Sequence, residues 1–532
     1  MSKFDLEEFA KTAGRIRRKA IEENRLIDNP SDEELRLLVE NEPGVRKTIY
    51  ENFVAESEPT SRAAVFTKNS VDYPFGGEEL QLLAQCEKAL AKEKLISIDR
   101  IVGNESSETT VRLIVPKRFA HVAYGGKHLF IPVKKEVREP TYQILFFTDE
   151  AFEANKSKPL PQKDITIRLA MLDDGRVIKI IRNSNYIGEF KKGVFAAEDW
   201  IAKTRRGGIF LHAGCREDYL QSAHGDYRNV RTLLLTLSAN GKTTLTCRIL
   251  ARKGKEKSWL IQDDGGTLMP DGSFHGFEAG GVFVKTENVN PREQREIFYG
   301  LLKLGILCEN VYVTEEGDLD FYILERTSNG RAVIPRRDFM HASSYIDVDK
   351  IDNLILITRG PLIPAIAKLT QEQAVALMIL GQAMESSAGD PTKAGKIRSE
   401  FFYDPFAVGD RAEHANRFYE ILRSLHMNYF LLNTGGVGEG ARYKEITVEH
   451  TMAVLDSLLR GGLEDWIDSP IGFKVPKAIR MVDDIYLHPE KLYSRAEFED
   501  KQKELNKFRR EAIEKIGDAL HPNIRNVFSE DY

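Results

Sequence analysis

The sequence predicts an α/β protein, with a strand-rich first part and a second part in which strands and helices alternate. Between residues 109 and 182, five short runs are rich in β-branched and aromatic residues, as strands are: TTVRLIV, HLFIPV, YQILFFT, ITIRLAML and RVIKIIR. From residue 232 onward, strand-like and helix-like runs alternate, which favours a sheet covered by helices. That alternation begins with TLLLTLSANGKTTLTCRIL (232–250), which has the pattern of a strand, a tight loop and a helix.

The bulk composition is that of an ordinary globular protein. The 532 residues suffice for two large domains, which we predict at 1–207 and 208–532. A net charge of −5 predicts no general affinity for nucleic acid or an anionic membrane. The four cysteines lack CxxC spacing, which argues against a disulfide framework or a structural zinc site. A charged beginning and the lack of an apolar run of about 18 residues predict neither a signal peptide nor a membrane span, and therefore a cytoplasmic protein.

The elements follow one another in an order that supports this division. Helical periodicity over residues 5–26 predicts a first helix, and the run GVFAAEDWIAKTRR (193–206) predicts another after the five strand-like runs. The second half is predicted to contain, in order, strand 232–238, helix 242–251, strand 258–264, helix 292–305, strands 319–326 and 353–358, helices 370–384 and 414–425, strand 428–436, and helices 447–461 and 495–518.

The loop inside residues 232–250 has the end of a phosphate-binding loop. Gly241, Lys242 and Thr243 stand where a helix begins, and the free N–H groups of that helix would face phosphate oxygens. Lys242 would reach the outer phosphates, and the Thr243 hydroxyl would contact a magnesium ion. The alternative is a helix that merely begins with NGKTT. Thr236 occupies the position where such loops begin with glycine, and we expect Asn240 to imitate glycine through a left-handed backbone.

Three further groups could carry chemistry, and each has a plain structural alternative. Asp263 and Asp264 end a strand roughly twenty residues past the loop, where they could bind magnesium or form a solvated turn. The adjacent lysines Lys191 and Lys192 lie in YIGEFKKGVF, which could equally be a basic turn facing water. His212 ends the apolar run GGIFLHAGC, where a hydrogen-bonded structural histidine is common.

Taken together and in this order, these motifs resemble the ATP-dependent phosphoenolpyruvate carboxykinases, with a divergent phosphate-binding loop. The matching segments are YIGEFKKGVF, FLHAG, LSANGKTTL, LIQDDGG and FHGFEAGGVFVKT, with weaker matches around PTSRAAVFTKNS, SNGRAVIP and FLLNTGGVGEGAR. The resemblance implies an α/β fold of two domains: a substrate-side domain, then a nucleotide-binding domain with the P-loop, and an active-site cleft between them. It implies a monomer or small homo-oligomer that converts oxaloacetate and ATP to phosphoenolpyruvate, ADP and CO2 in gluconeogenesis.

The resemblance also implies roles for individual residues. Lys192, His212 and Asp264 match transition-metal ligands, usually for Mn²⁺, and Thr243 matches the contact to Mg²⁺. Asp263 matches an acid that supports the metals. The nucleotide-contacting set is Ser238, Asn240, Gly241, Lys242, Thr243, Thr244, Arg331 and Arg442, the last as a candidate neighbour of the base.

On the substrate side, Arg62, Tyr186 and Arg331 match groups that hold the oxaloacetate carboxylates, the departing CO2 and the transferred phosphoryl group. Lys191 matches a group near the enolate and the γ-phosphate. Departures from the family pattern are Thr236, Ala239 and Asn240 in the loop, Gly265 after the aspartate pair, and Gly436 where an aromatic residue is common. Two other functions remain open on these residues: a kinase of another small acid on the same scaffold, and a catalytically silent nucleotide-binding relative.

Overall fold

The computed structural model describes residues 4–58, 63–149, 165–237, 240–252, 254–324, 329–384 and 397–529. It contains two compact units, one of residues 1–205 and 276–340, the other of residues 206–275 and 341–532. The first division lies close to the predicted one at 207/208. Among the described residues, no helix is both long and apolar enough to cross a membrane.

Residues 276–340 differ from the prediction, which assigned them to the second domain. The reason is strand pairing, because strand Leu307–Glu309 runs parallel to Phe53–Ala55 of the first unit. This segment therefore completes a sheet that begins near residue 46. In order across that sheet, the strands are Gly281–Lys285, Arg331–Pro335, Leu307–Glu309, Phe53–Ala55 and Arg46–Lys47.

A larger mixed sheet forms the body of the first unit. Its strands lie in the order Leu26–Asp28, Leu95–Ile101, Thr110–Pro116, Tyr142–Phe147, Val177–Arg182, Thr166–Met171 and Thr67–Asn69, with Ile131–Pro132 beside Leu95–Ile101. The described helices of this unit are Glu7–Glu22, Asp32–Glu40, Gly77–Leu90, Ala120–Leu129, Gly188–Ile201 and Arg295–Leu301. The helix Gly188–Ile201 continues as a π-helical turn to Arg206. A short hairpin joins the strands Tyr312–Val313 and Leu319–Asp320. The first helix buries Phe9, Ala13, Ile16 and Ala20, which are spaced three or four residues apart and so share one face.

The second unit contains a sheet whose centre is parallel. Its strands lie in the order Lys257–Gln262, Ala213–Gln221, Tyr227–Leu235, Asn353–Thr358, Asn428–Asn433, Ile366–Leu369, Lys474–Pro476 and Trp466–Asp468. The third, fourth and fifth of these run parallel, so their carboxyl ends meet at one edge. In doubly wound sheets, ligands bind at that edge.

Smaller strands and seven helices complete the described part of this unit. A second sheet holds Ile209–Leu211, Gly266–Leu268, Phe274–Gly276 and Asp347–Val348, and two-stranded pairs join Gln382–Met384 to Ile397–Ser399 and Gly436–Val437 to Lys444–Glu445. The helices are Lys242–Cys247, Gln371–Leu380, Arg411–Ser424, Val448–Leu459, Asp484–Leu487, Arg495–Glu514 and Pro522–Arg525.

Most predicted elements are confirmed within a few residues of their ends, and the mixed α/β class is confirmed. The predicted strand 319–326 is wrong at residues 321–324, because the Asp320 carboxylate accepts hydrogen bonds from the Tyr322 and Ile323 amides and turns the chain, and residues 325 and 326 lie outside the described residues. The run HLFIPV is only partly a strand, since His128 and Leu129 end the helix that begins at Ala120.

Candidate active site

The predicted phosphate loop follows the central strand Tyr227–Leu235, at the edge where the parallel strands end. Gly241 has a φ of +93°, a left-handed conformation, and caps the helix Lys242–Cys247. The Thr434 hydroxyl, just past the strand Asn428–Asn433, donates to the Asn240 carbonyl at 2.9 Å. The loop is thus tied to the carboxyl end of a strand two positions away in the sheet, while Ser238 and Ala239 lie outside the described residues.

Asn240 does not imitate glycine, contrary to the expectation from its residue type. Among the described residues with positive φ, neither Asn240 nor Thr236 is present. The Asn240 side chain instead donates to the Leu237 carbonyl at 3.2 Å and is 2% exposed. Thr236 is fully buried. Among the described residues of the loop, the left-handed one is Gly241, so positions 236 and 240 show no conformational need for glycine.

The helix after the loop is shorter than predicted, ending at Cys247 rather than Ala251. Arg216, which is 1% exposed and paired with Asp218, donates to the Leu245 carbonyl and so takes an acceptor that a longer helix would use. Arg248 is extended, and beyond it the Leu250 and Ala251 amides donate to the Ser258 hydroxyl at 3.0 Å.

Lys242 lies in a polar cluster with the predicted metal ligands of this unit. Its ammonium group contacts Asp264 Oδ1 closely and lies 3.5 Å from the His212 carbonyl. His212 Nε2 lies 2.9 Å from the same Asp264 oxygen. Asp263 is 2% exposed, and Thr243 and Thr244 are half-buried in the first turn of the helix. The structure therefore brings together Lys242, His212 and Asp264, which come from three separate segments.

A backbone carbonyl fixes the orientation of the His212 ring. His212 Nδ1 lies 3.0 Å from the Tyr403 carbonyl oxygen, which can only accept, so Nδ1 carries a proton. That leaves Nε2 to face Asp264, the arrangement in which histidine usually binds a metal. The carbonyl belongs to a constrained turn, since Phe402 and Tyr403 have φ of +56° and +53°.

In the first unit, Lys192 is paired with a carboxylate that the sequence prediction left without a role. Glu189, 1% exposed, accepts from Lys192 at 2.6 Å and from Lys179 at 3.0 Å. Burial alone would raise the pKa of Glu189, but the charges of Lys192 and Lys179 outweigh burial and hold its pKa below the usual range. Lys192 also lies over the Tyr186 ring, 5.2 Å from its centre.

Lys191 has a buried acid of its own. Its ammonium lies 3.1 Å from Glu278 Oε1, a fully buried carboxylate, and 5.1 Å from the centres of the Phe195 and Phe283 rings. The interpretation of 191–192 as a basic turn facing water is therefore wrong, because the Lys191 side chain is 4% exposed and both lysines lie in the helix Gly188–Ile201.

The remaining substrate-side residues are only partly described. Arg331 begins the strand Arg331–Pro335. In the backbone pairing of this sheet it lies opposite Lys285 in one neighbouring strand and opposite Glu309 in the other. Burial, together with the Arg331 charge, lowers the pKa of Lys285, although Glu287 opposes the shift. Tyr186 is 2% exposed, just before the lysine helix. Arg62 lies outside the described residues.

Arg442, the candidate neighbour of the base, is engaged within the second unit. It forms a two-pronged ion pair with Glu497, at 2.9 and 2.5 Å, and lies 4.8 Å from the centre of the Tyr493 ring. These contacts hold the turn at residues 440–442 against the helix Arg495–Glu514.

Comparison with known proteins identifies the family. A profile described as phosphoenolpyruvate carboxykinase, of the ATP-dependent type, matches residues 46–485. The chain belongs to the ATP-dependent phosphoenolpyruvate carboxykinase family. The phosphoenolpyruvate carboxykinase (ATP) of Aeropyrum pernix is 31% identical over 405 residues, which cover 76% of this chain and 78% of the relative. Those of Chelativorans sp. and Mesorhizobium japonicum are each 27% identical, over 79% and 78% of this chain and 76% and 75% of their own.

Membership of this carboxy-lyase family confirms the resemblance drawn from the motifs and with it the use of ATP. In the described parts of the chain, no group of three or more His, Cys, Asp or Glu side chains gathers as a metal site. The metal set predicted for this carboxykinase is of another kind, since it includes a lysine and a threonine. Sequence reasoning missed Glu189, Glu278 and Lys285, although all three lie in the quoted family segments. Their signal was charge within an apolar run, which marks a buried ion.

Proposed function

We propose that this carboxykinase decarboxylates oxaloacetate and transfers the γ-phosphoryl group of ATP to the resulting enolate. The observation that carries the proposal is the cluster of Lys242, His212 and Asp264 beside the left-handed Gly241. A lysine, an imidazole and a carboxylate at the first turn of a helix suit a metal-bound triphosphate. We also propose a cytoplasmic monomer or small homo-oligomer, as the family resemblance implies.

Lys242 and Thr243 are the proposed contacts to the outer phosphates and to Mg²⁺. The helix that begins at Lys242 presents its first N–H groups toward the loop, and these stabilise anionic oxygens. We propose the backbone of Asn240 and Gly241, with Ser238 and Thr244, as the rest of the phosphate cradle. Arg442 contacts the base in this proposal only by releasing Glu497.

The donor set of the second unit fits a divalent transition metal. His212 Nε2 and Asp264 Oδ1 converge to 2.9 Å while Nδ1 is held by the Tyr403 carbonyl, so a nitrogen and an oxygen ligand are directed at one place. We propose His212 and Asp264 as ligands of Mn²⁺, with Lys192 as a third and Asp263 as the supporting acid. When bound, the ion supplies positive charge that stabilises the enolate oxygen.

On the substrate side, the chain's residues hold anions and guide the leaving group. In the proposed reaction the bond between C3 and C4 of oxaloacetate breaks, CO2 leaves, and the electron pair becomes the enolate. The enolate oxygen then attacks the γ-phosphorus, and ADP departs. Arg62 and Arg331 would grip carboxylate and phosphoryl oxygens with two nitrogens each, Tyr186 would orient the CO2, and Lys191 would balance charge near the transferred group.

The direct test is product formation by purified protein. Oxaloacetate, Mn²⁺ and Mg²⁺ are supplied with either ATP or GTP, and phosphoenolpyruvate is measured. We expect phosphoenolpyruvate from ATP at a higher kcat/KM than from GTP. A clear preference for GTP would reject the nucleotide assignment, and no product with either nucleotide would reject the activity.

A second test addresses Lys192 as a metal ligand. A lysine ligand must offer a lone pair, so Lys192→Arg should weaken Mn²⁺ binding sharply, because a guanidinium stays protonated and has no acceptor. Mn²⁺ titration followed by electron paramagnetic resonance measures this, with Lys203→Arg as a control at a lysine of the π-helical turn that follows the same helix. Unchanged Mn²⁺ affinity in Lys192→Arg would leave Lys192 only as a cationic contact.

A further inference from the structure

A buried network of three ionisable side chains lies around the segment that carries Tyr186 in the first unit. His121 is fully buried in the first turn of the helix Ala120–Leu129, and its Nδ1 lies 2.5 Å from Glu42 Oε1. Glu42 also accepts from the His121 backbone amide at 2.8 Å. The third member is Glu309, 1% exposed, whose Oε1 lies 3.7 Å from His121 Nε2.

Two members of this network hold the two peptide groups that flank Tyr186. His121 Nε2 lies 2.9 Å from the Asn185 carbonyl, which belongs to the peptide before Tyr186. The Ile187 amide, in the peptide after Tyr186, donates to Glu309 Oε1 at 3.0 Å. Because φ and ψ of Tyr186 are the rotations between these two peptides, fixing both peptides fixes the direction in which the Tyr186 Cα–Cβ bond leaves the backbone.

The Asn185 side chain connects the same segment to residues 56–58. Its Oδ1 accepts from the Glu58 amide at 2.8 Å, and its Nδ2 donates to the Glu56 carbonyl at 3.1 Å. The network therefore holds the Tyr186 segment against the chain that leads toward Arg62.

The protonation of the network is consistent with an ion pair between His121 and Glu42, whereas burial raises the pKa of Glu309 to about 7. Burial alone would lower the pKa of His121, but Glu42 and Glu309 raise it to about 9. A carbonyl at Nε2 requires a proton there, and a carboxylate at Nδ1 favours a second one. An imidazolium that donates to two fixed acceptors has one ring orientation, which is the property that a positioning group needs.

From this geometry we infer that Glu42, His121 and Glu309 are positioning residues for the carboxykinase reaction, acting through Tyr186. They touch neither substrate nor nucleotide in this inference, which rests on the proposed function of Tyr186. A structural role alone would make them matter for stability. A positioning role adds a specific effect on oxaloacetate kinetics.

The test compares two substitutions of Glu309 that differ in one acceptor. Glu309→Leu removes the oxygen that receives the Ile187 amide, whereas Glu309→Gln keeps an amide oxygen there. We expect Glu309→Leu to lower kcat/KM for oxaloacetate about tenfold, as the loss of one hydrogen bond does, and Glu309→Gln to recover most of it. His121→Gln is the second variant, and hydrogen exchange at the Ile187 amide reports the local opening directly.

A matched control separates positioning from stability. Asp99→Asn weakens another buried ion pair of the first unit, the 2.7 Å contact between Arg112 and Asp99. If Asp99→Asn loses as much unfolding free energy as the Glu309 variants do, it should still keep kcat/KM for oxaloacetate near the wild-type value. If both Glu309 variants change kcat/KM no more than Asp99→Asn does, the network is only structural and the inference is overturned.

A double-mutant cycle with Tyr186→Phe identifies which proposal fails. If Glu309 acts through Tyr186, Glu309→Leu should cost much less in the Tyr186→Phe background than in the wild type. Additive losses would overturn the positioning role and leave the role of Tyr186 intact. Wild-type kinetics in Tyr186→Phe alone would instead reject the proposed function of Tyr186, and the inference with it.

Discussion

The candidate-site lysines Lys191, Lys192 and Lys242 are each paired with an acid, but the acids differ in burial. In the first unit, Lys191 faces Glu278 and Lys192 faces Glu189, carboxylates with side chains 0% and 1% exposed. In the second unit, Lys242 shares one oxygen of Asp264, whose side chain is 21% exposed, with His212. A buried acid fixes its lysine before any ligand arrives, because an unpaired buried charge is very costly. A partly exposed acid shared by two groups can exchange partners at much lower cost, and this suits a place where phosphate and metal arrive.

The largest expected effect comes from replacing Lys242, the lysine whose acid partner is partly exposed. Lys242→Met should lower kcat/KM for ATP on the order of 10³-fold, because it removes the ammonium group that contacts Asp264 and that we propose as the contact to the outer phosphates. Steady-state kinetics with saturating oxaloacetate measures the loss. Lys255→Met, at an exposed lysine after the same helix, is the control and should behave as wild type. Equal activity of the two variants would show that Lys242 does not contact the triphosphate.

The next prediction compares the two units by the stability of the fold rather than by turnover. Glu189→Gln should reduce the free energy of unfolding by about 3 kcal/mol, because Lys179 and Lys192 lose their shared buried partner. Asp264→Asn should cost less than about 1 kcal/mol, since its ion pair is partly solvated. Denaturant unfolding measures both, with the exposed Glu105→Gln as the control. Similar losses for Glu189→Gln and Asp264→Asn would remove the distinction between the units.

The ion pairs of Glu189 with Lys179 and Lys192 also predict how the stability of the fold depends on pH, with a definite sign. The pKa of Glu189 in the folded protein is below its usual value of 4.5, so its ionisation stabilises the fold above that value. This contribution is lost as the pH falls through the lowered folded-state pKa. The stability difference between wild type and Glu189→Gln should therefore be full at neutral pH and shrink progressively below about pH 4.5. A difference that grows on acidification would mean that Glu189 is protonated in the fold.

An intermediate effect is expected at Arg331. Arg331→Lys preserves the charge but loses the planar pair of donors, and we expect on the order of a 10²-fold loss in kcat/KM for oxaloacetate. Arg337→Lys, at an exposed arginine beyond the same strand, provides the control. Near-wild-type kinetics for a folded Arg331→Lys would show that Arg331 does not grip the carboxylate or the phosphoryl group.

Much of the fold and part of the site could be predicted from the sequence, for physical reasons that differ by region. Strands such as Asn353–Thr358 are continuous apolar runs because both faces are buried, and a run of that kind is visible without a structure. The convergence of His212, Lys242 and Asp264 was predictable because each follows or begins an element with a recognisable end. The assignment of residues 276–340 to the first unit was not, since it depends on pairing with Phe53–Ala55, more than two hundred residues earlier.

The buried acids were the main part of the site that the sequence did not predict. Glu189 and Glu278 differ from surface glutamates only in their apolar neighbours, and no local pattern shows which lysine each one faces. At Asn240 in the loop, the residue type wrongly predicted a left-handed backbone conformation. Asparagine is enriched at positive φ, and Asn183, Asn288 and Asn310 do adopt it, but Asn240 uses its amide for a hydrogen bond instead.

The smallest effect is expected at Asn240, where two substitutions decide why asparagine is there. If its side chain only bonds the Leu237 carbonyl, both Asn240→Ala and Asn240→Gly lose that bond, worth about 1 kcal/mol, and keep ATP affinity within about tenfold. Asn240→Ala should then be at least as stable as Asn240→Gly, because glycine adds backbone entropy to the unfolded chain and gains nothing at a negative φ. Calorimetric titration with ATP and Mg²⁺, alongside denaturant unfolding, measures both quantities. If Asn240→Gly binds ATP and Asn240→Ala does not, the position needs a left-handed backbone when nucleotide is bound, and the loop then resembles an ordinary glycine-rich one more closely than its geometry here shows.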